Sequence, residues 1–453
     1  MTAKSHTRVP EPQAPLPADT PTLEADTSSP PRRILRGIRT FESFKHRDYT
    51  FFFFGALLSN IGTWTQTVAL GWVIYALTRS SASLGIVNFL SGIPIFFLTL
   101  FAGSLVDHVD RRKLLIWSQF IMMGQAVAFA YLNYTGHITM EWIYSLTLAA
   151  GVVSAFMFPA WQAMVPDLVP RSSLLNAVAL SSAQFNAARL VGPMVTATIM
   201  AAFAANESLG ITLVFAFNAA SFLFVIWALA VIRPAQEMQR HVEGQSVRRT
   251  LGAGLAYARD HRHVAAHLFT AAMLTIFGMP FMTLLPAIAV DVLGLGSTGY
   301  SSLMIFNGAG ALVGALAVAS LPASFRRERI IGYGLTTMAL GSVALSFSRS
   351  YALSCVLLTV LGAAFLACVS SINTNLQTAA PNYLRGRIMA LFVIAFMGMM
   401  PFGALAFGAL GDLVGPSRAV LTGGLVLLLW ALYLLARPAI LCPRTDPECP
   451  SRS

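Results

Sequence analysis

The sequence predicts an all-α membrane protein of twelve spanning helices, built as two groups of six. Three observations carry that prediction. Of the 453 residues, 56% are apolar and only 11% charged, whereas an ordinary soluble domain carries about 25% charged residues. Apolar runs recur along the chain at lengths suited to crossing a bilayer, which takes about 20 helical residues for roughly 30 Å of hydrocarbon. The basic residues gather in alternate connections between those runs.

The runs lie near 50–77, 84–106, 114–132, 140–163, 174–204, 210–232, 264–290, 300–321, 330–348, 351–376, 387–411 and 417–436. Those at 174–204 and 387–411 are long enough to be tilted or bent. Residues 1–40 form a tail whose first part is rich in Pro, Thr, Ser and Ala. Such a composition predicts disorder, and the tail lacks the apolar core of a cleavable signal peptide. Residues 41–232 hold the first six runs and 263–437 the last six. The basic, polar stretch 233–262 links them, and 438–453 form a short C-terminal tail.

The formal charge of +11 would suit a nucleic-acid partner, but its placement explains it otherwise. With the N-terminus inside, 26 of the 30 Lys and Arg residues fall in the tails, the linker and the inner loops. Arg79, Arg349 and Arg418 fall outside, and Arg189 alone lies within a run. That asymmetry is the positive-inside rule, and it predicts that both termini are cytoplasmic. No nucleic-acid partner is needed.

Other function classes find no support. There is no Gly-x-x-x-x-Gly-Lys-Ser/Thr loop to cradle phosphates and no His-Glu-x-x-His pattern for zinc. Neither an enzyme, a cofactor nor a metal site is therefore expected. Cys355 and Cys368 read as small packing residues, and Cys442 and Cys449 lie among prolines in the C-terminal tail. A weak internal repeat supports duplication. Gln162-Ala-Met-Val-Pro166-Asp167 recurs as Gln377-Thr-Ala-Ala-Pro381-Asn382, 215 residues later. Duplicated helical bundles are an architecture of secondary transporters.

Between the second and third runs stands Gly103-Ser-Leu-Val-Asp107-His-Val-Asp-Arg111-Arg112-Lys113. This resembles the loop signature of the major facilitator superfamily, with His108 where the family usually has Arg. Asn60-Ile-Gly-Thr-Trp-Thr-Gln66, Phe158 to Pro170, Asn186-Ala-Ala-Arg189-Leu-Val-Gly192-Pro193 and Arg385-Gly-Arg387 narrow the match. They resemble the branch of transmembrane secretion effectors that contains the enterobactin exporter. The resemblance covers roughly 41–437. It implies the major facilitator fold, a place in the bacterial inner membrane and proton-coupled efflux of a small organic molecule, such as a siderophore or a drug. It also implies a monomer working by alternating access. Two other readings stay open: an importer or facilitator for a metabolite, and a non-transporting membrane receptor or scaffold.

Candidate residues follow. Asp107 closes the second run, where it can face the positive N-terminal end of a neighbouring helix. The resemblance makes that neighbour the eleventh helix, whose start is marked by Arg385 and Arg387. Gly103, Asp107, Arg111, Arg112, Arg385 and Arg387 are thus the expected cytoplasmic gate. Gly192 permits close approach, and Pro193 denies a donor to the carbonyl of Arg189, so a helix bend is expected there. Asn60, Gln66, Asn186, Arg189 and Asn218 are the candidate cavity residues. An arginine at bilayer depth should face the bundle or a wet cavity. No carboxylate falls clearly within a run, and Asp48 and Glu141, near helix ends, are the remaining candidates for proton coupling.

Overall fold

Every apolar run read from the sequence is a helix. The computed structural model describes residues 41–106, 109–232, 247–322, 325–381 and 383–442, and among these there is no strand. The helices are α1 (Arg47–Thr78), α2 (Ser81–Val106), α3 (Arg111–Tyr134), α4 (Met140–Leu168), α5 (Leu174–Ala202) and α6 (Glu207–Val231). After the linker helix α7 (Val247–Asp260) come α8 (Arg262–Val292), α9 (Ser297–Ser320), α10 (Arg327–Phe347), α11 (Tyr351–Ala379), α12 (Arg385–Val414) and α13 (Pro416–Ala436).

Ten of these helices are apolar and long enough to cross a membrane. The sequence reading counted twelve, and the two outside the set are α1 and α5, with 32 and 29 residues. Length does not exclude them; their polar residues do. Ser59, Thr65 and Gln66 on α1, and Gln184, Arg189 and Thr196 on α5, are all buried. The two least lipid-like helices pack on each other, so their polar faces meet protein.

α1 packs on α5 and α6, α3 on α4 and α6, and α2 on α4. In the same way α8 packs on α12 and α13, α10 on α11 and α13, and α9 on α11. The neighbours of the first six helices thus recur in the last six. The largest buried apolar cluster draws on residues 258–441 with Val68 added, and two others draw on 49–232 with Ala287 added. The two helix sets meet chiefly where α2 lies on α12 and α5 on α9.

Two long helices carry a π turn ahead of a proline. In α8 it spans Leu274–Gly278 before Pro280, and in α12 Ile394–Gly398 before Pro401. A proline has no N–H for the carbonyl four residues earlier, so the helix widens locally instead of breaking. α7 was not foreseen from the sequence. It occupies part of the hydrophilic linker and packs on the first turns of α12, where Gly254 approaches the Arg387 carbonyl and Leu391.

Candidate functional site

The most unusual side chain inside the helices is Arg189 on α5. Only 8% of it is exposed, and residues of four other helices surround it. Its Nη2 donates to Asn307 Oδ1 on α9 at 2.9 Å and lies 3.6 Å from Met282 Sδ on α8. The guanidinium carbon stands 5.7 Å from the ring centre of Trp64 on α1 and 5.8 Å from that of Phe365 on α11. Nε of Arg189 is buried with no hydrogen-bond partner, and among the described residues no carboxylate pairs with it. A buried guanidinium is costly unless its donors are met. Here one amide oxygen, one sulfur and two aromatic faces share the task, and capacity for an anion is left over.

The chain builds this point from both helix sets. Asn307 is 1% exposed, and its Nδ2 donates to the Leu358 carbonyl of α11 at 3.3 Å, which turns Oδ1 towards Arg189. Gly308, the next residue, presses so close to α5 that a Cβ there would sit 2.8 Å from the Arg189 carbonyl oxygen. Pro193 deprives that same carbonyl of its helical donor. On the other side of α5, a Cβ on Gly192 would stand 2.4 Å from Trp64 Cβ. Thr65 Oγ1 donates to the Gly192 carbonyl at 3.1 Å, and Thr196 Oγ1 to the Thr65 carbonyl at 3.1 Å. Gly192 and Pro193 therefore mark where α5 is pressed between α1 and α9.

The other candidate cavity residues are placed differently. Asn218 Nδ2 donates to Gln66 Oε1 at 2.8 Å, Gln66 Nε2 to Gln125 Oε1 at 3.1 Å, and Gln125 Nε2 to the Leu146 carbonyl at 3.4 Å. This buried chain ties α1, α3, α4 and α6 together and shares no residue with the partners of Arg189. Asn60 is half-buried on α1. Asn186, half-buried one turn before Arg189, donates to the Ser182 carbonyl of its own helix at 2.9 Å.

Of the expected gate, Gly103 lies in α2 and Asp107 lies outside the described residues. Arg111 Nη1 meets Asp167 Oδ2 at the end of α4 at 3.0 Å. Arg112 donates from Nε to the Leu229 carbonyl at 2.6 Å and from Nη2 to the Ala230 carbonyl at 2.5 Å. These carbonyls close α6, where a cation also meets the negative end of the helix dipole. Arg385 and Arg387 stand in the first turn of α12. Asp48 is half-buried in the first turn of α1, and Glu141 is exposed in the first turn of α4.

The opposite end, where α1 turns into α2, carries ties the sequence did not single out. Asp412 of α12 accepts from Ser80 Oγ and from the Ser81 N–H, each at 2.5 Å. Asp291, at the end of α8, accepts from the Tyr75 hydroxyl and lies 4.0 Å from Arg79 Nη1.

Comparison with known proteins settles the family. Residues 38–446 match the family described as transmembrane secretion effector, of the major facilitator superfamily. The chain belongs to that family. The chain is 24% identical to the staphyloferrin A transporter of Staphylococcus aureus, over 81% of its own length and 90% of that protein's. It is 25% identical to the multidrug efflux pump Tap of Mycobacterium tuberculosis, over 88% and 96% of the two chains. Its fold is similar to that of the nucleoside transporter NupG, with a TM-score of 0.70 at 13% identity, covering 86% of this chain and 99% of that one. It is also similar to a POT family transporter, with a TM-score of 0.68 at 12% identity over 87% and 97% of the two chains. The chain is an all-α, multi-pass membrane transporter.

None of Trp64, Met282, Asn307 and Phe365 was assigned to the site from sequence. Asn307 lies 118 positions from Arg189, and nothing local in the sequence says which polar residue inside an apolar run meets that arginine.

Proposed function

We propose that this transporter exports a small organic anion in exchange for protons, and that Arg189 holds the anionic group of the cargo. The observation that carries the reading is a buried guanidinium with an unmet Nε, held where α5 meets α8 and α9. A planar fork with donors to spare suits a carboxylate or phenolate. Trp64 and Phe365 flank it and suit the apolar or aromatic body of such a molecule. Among the relatives, one is named for staphyloferrin A and others for multidrug or macrolide efflux. A siderophore or an acidic drug-like compound fits both those names and the site.

In this reading the helices of 41–232 and 263–437 are two bundles that rock about the central site, as a monomer in the bacterial inner membrane with both termini cytoplasmic. Protons supply the driving force, with Asp48 and Glu141 as the carboxylates to test first. The cytoplasmic gate of this reading is the set Gly103, Asp107, Arg111, Arg112, Arg385 and Arg387.

Efflux from loaded inverted vesicles or cells tests the assignment, with carboxyfluorescein as the anionic probe and ethidium as the cationic one. Arg189→Gln is expected to reach the membrane at normal levels and lose at least about tenfold in carboxyfluorescein efflux, the scale of one charge-assisted contact. Arg189→Lys keeps the charge without the fork and should fall between. Wild-type carboxyfluorescein efflux in Arg189→Gln would overturn the site. Efflux that persists undiminished after a protonophore collapses the proton gradient would overturn the coupling.

A further inference from the structure

A buried histidine that the transport reading leaves unused stands near the start of α8. His267 is 2% exposed and lies little more than one turn after Arg262, the first residue of that helix. Here α8 and α10 begin and α11 ends, at the side the basic linker predicts to be cytoplasmic.

Both ring nitrogens are engaged. Nδ1 lies 2.6 Å from the His263 carbonyl oxygen, one turn back. A carbonyl only accepts, so Nδ1 carries the hydrogen and the neutral ring keeps its lone pair on Nε2. Asn375 Nδ2 of α11 reaches that Nε2 at 3.1 Å and Glu328 Oε1 of α10 at 3.1 Å. A carboxylate accepts as well, so the amide gives one N–H to Glu328 and the other to His267. The three side chains are thus matched to an uncharged imidazole.

A proton on Nε2 undoes the match. It sets an N–H against the N–H of Asn375, and turning the amide would set its oxygen against the Glu328 carboxylate. A buried imidazolium without an acceptor is costly, so the contact between α8 and α11 is the one a proton breaks. α10 and α11 stay joined in either case, because they pack on each other and Arg327 Nη1 donates to Thr374 Oγ1 at 3.3 Å.

The other charges at this end act on the same equilibrium. Arg259 of α7, Arg262 of α8, Arg327 of α10, and Arg385 and Arg387 of α12 oppose a proton on the ring, whereas Asp260 and Glu328 favour one. His261 and His263 are further rings able to carry charge, and Tyr257 of α7 stacks on the first of them. Arg437 and Cys442 flank the short turn 438–440 that also packs on α8, and α11 offers no titratable group over 370–379.

We propose that His267 is a proton-binding site, and that a proton taken up there from water releases the first turns of α8 from α11. With the ring neutral the contact is present, as in this structure. As pH falls through the ordinary histidine range the contact is lost. The release is passed inward along α8, because Met282 of the same helix lies 3.6 Å from Arg189, about 22 Å further on at 1.5 Å per residue. The inference concerns conformation at equal pH on both sides of the membrane, so it stands whether or not protons drive transport.

The experiment is a distance measurement on the full-length protein in lipid nanodiscs, with spin labels on Phe269→Cys of α8 and Thr378→Cys of α11. Both positions are exposed. Cys355, Cys368 and Cys442 are buried, and Cys449 is replaced by serine. Between about pH 7.5 and about pH 5.5, either side of the ordinary histidine pKa of about 6.5, the ratio of longer to shorter distances should rise up to about tenfold. His267→Gln offers Asn375 an amide oxygen and cannot titrate, so it should keep the shorter distance at both pH values. No shift in the wild type would make His267 a packing residue and overturn the proposal. A shift that survives in His267→Gln would place the sensor elsewhere and overturn it too. Should that variant fail to fold, Asn375→Ala removes only the α11 side of the contact. It should show the longer distance already at the higher pH, and the wild-type pattern there would equally overturn the site.

Discussion

At the scale of single residues, the central question is how an arginine survives inside an apolar bundle. Arg189 has its Nη2 met by Asn307 and its faces covered by Trp64 and Phe365, while Nε is left unmet. If that surplus serves an anionic cargo, filling it from the protein should abolish binding. Asn307→Asp places a carboxylate where Oδ1 already sits 2.9 Å from the guanidinium. A buried ion pair should form, and the variant should fold at least as well as wild type, since the lone buried charge gains a partner. Carboxyfluorescein affinity, followed by titration of intrinsic tryptophan fluorescence, should fall at least about tenfold because the cargo must now compete with a fixed anion. Unchanged affinity would place the anion elsewhere. The sequence exposed Arg189 plainly, as the one basic residue inside an apolar run. It could not expose Asn307 as its partner, because that pairing arises from the contact between α5 and α9 and leaves no local pattern.

At the scale of helices, what the sequence displayed well was the set of apolar runs, because hydrocarbon demands continuous apolar surface. It displayed α7 poorly, since a short helix with a polar face resembles a hydrophilic linker. The π turns at Leu274–Gly278 and Ile394–Gly398 have a visible cause in Pro280 and Pro401, though only the structure shows the helices widening there without breaking. The Gly192-Pro193 pair was legible as a special point. Its packing was not: Gly192 admits α1, and the neighbouring α9 presses on the carbonyl that Pro193 deprives of a donor. The two positions should then respond differently to alanine. Gly192→Ala drives a methyl into Trp64 and the Ile61 carbonyl, at 2.4 and 3.0 Å. Overpacking of this kind costs about 1–3 kcal/mol. Its melting temperature in detergent should drop by several degrees, at about 2–4 °C per kcal/mol for chains of 150–250 residues and less for a longer one. Pro193→Ala restores a donor within α5 and should leave the melting temperature unchanged or higher. A Gly192→Ala protein as stable as wild type would show that α1 and α5 have room to move apart.

For the whole molecule, orientation decides what the ties at the turn from α1 into α2 mean. The placement of the basic residues predicts that the loop between α4 and α5 lies inside and that between α5 and α6 outside. The contacts of Asp412 and Asp291 lie where α1 turns into α2, on the same side as the loop after α5 in that topology. Closed there, the transporter would be sealed towards the periplasm, and Arg189 would be reachable from the cytoplasm, as loading for export requires. Ser172 and Glu207 flank α5 at its two ends and are both exposed. The buried native cysteines Cys355, Cys368 and Cys442 give little background once Cys449 is replaced. An impermeant maleimide added to intact cells should label Glu207→Cys and spare Ser172→Cys until the membrane is opened. The reverse pattern would turn the molecule over in the membrane. The end tied by Asp412 and Asp291 would then be cytoplasmic, and Arg189 would face its cargo from the outside, as an importer needs. Labelling of one engineered cysteine against the other thus separates export from import at the level of the resting state, before any cargo is known.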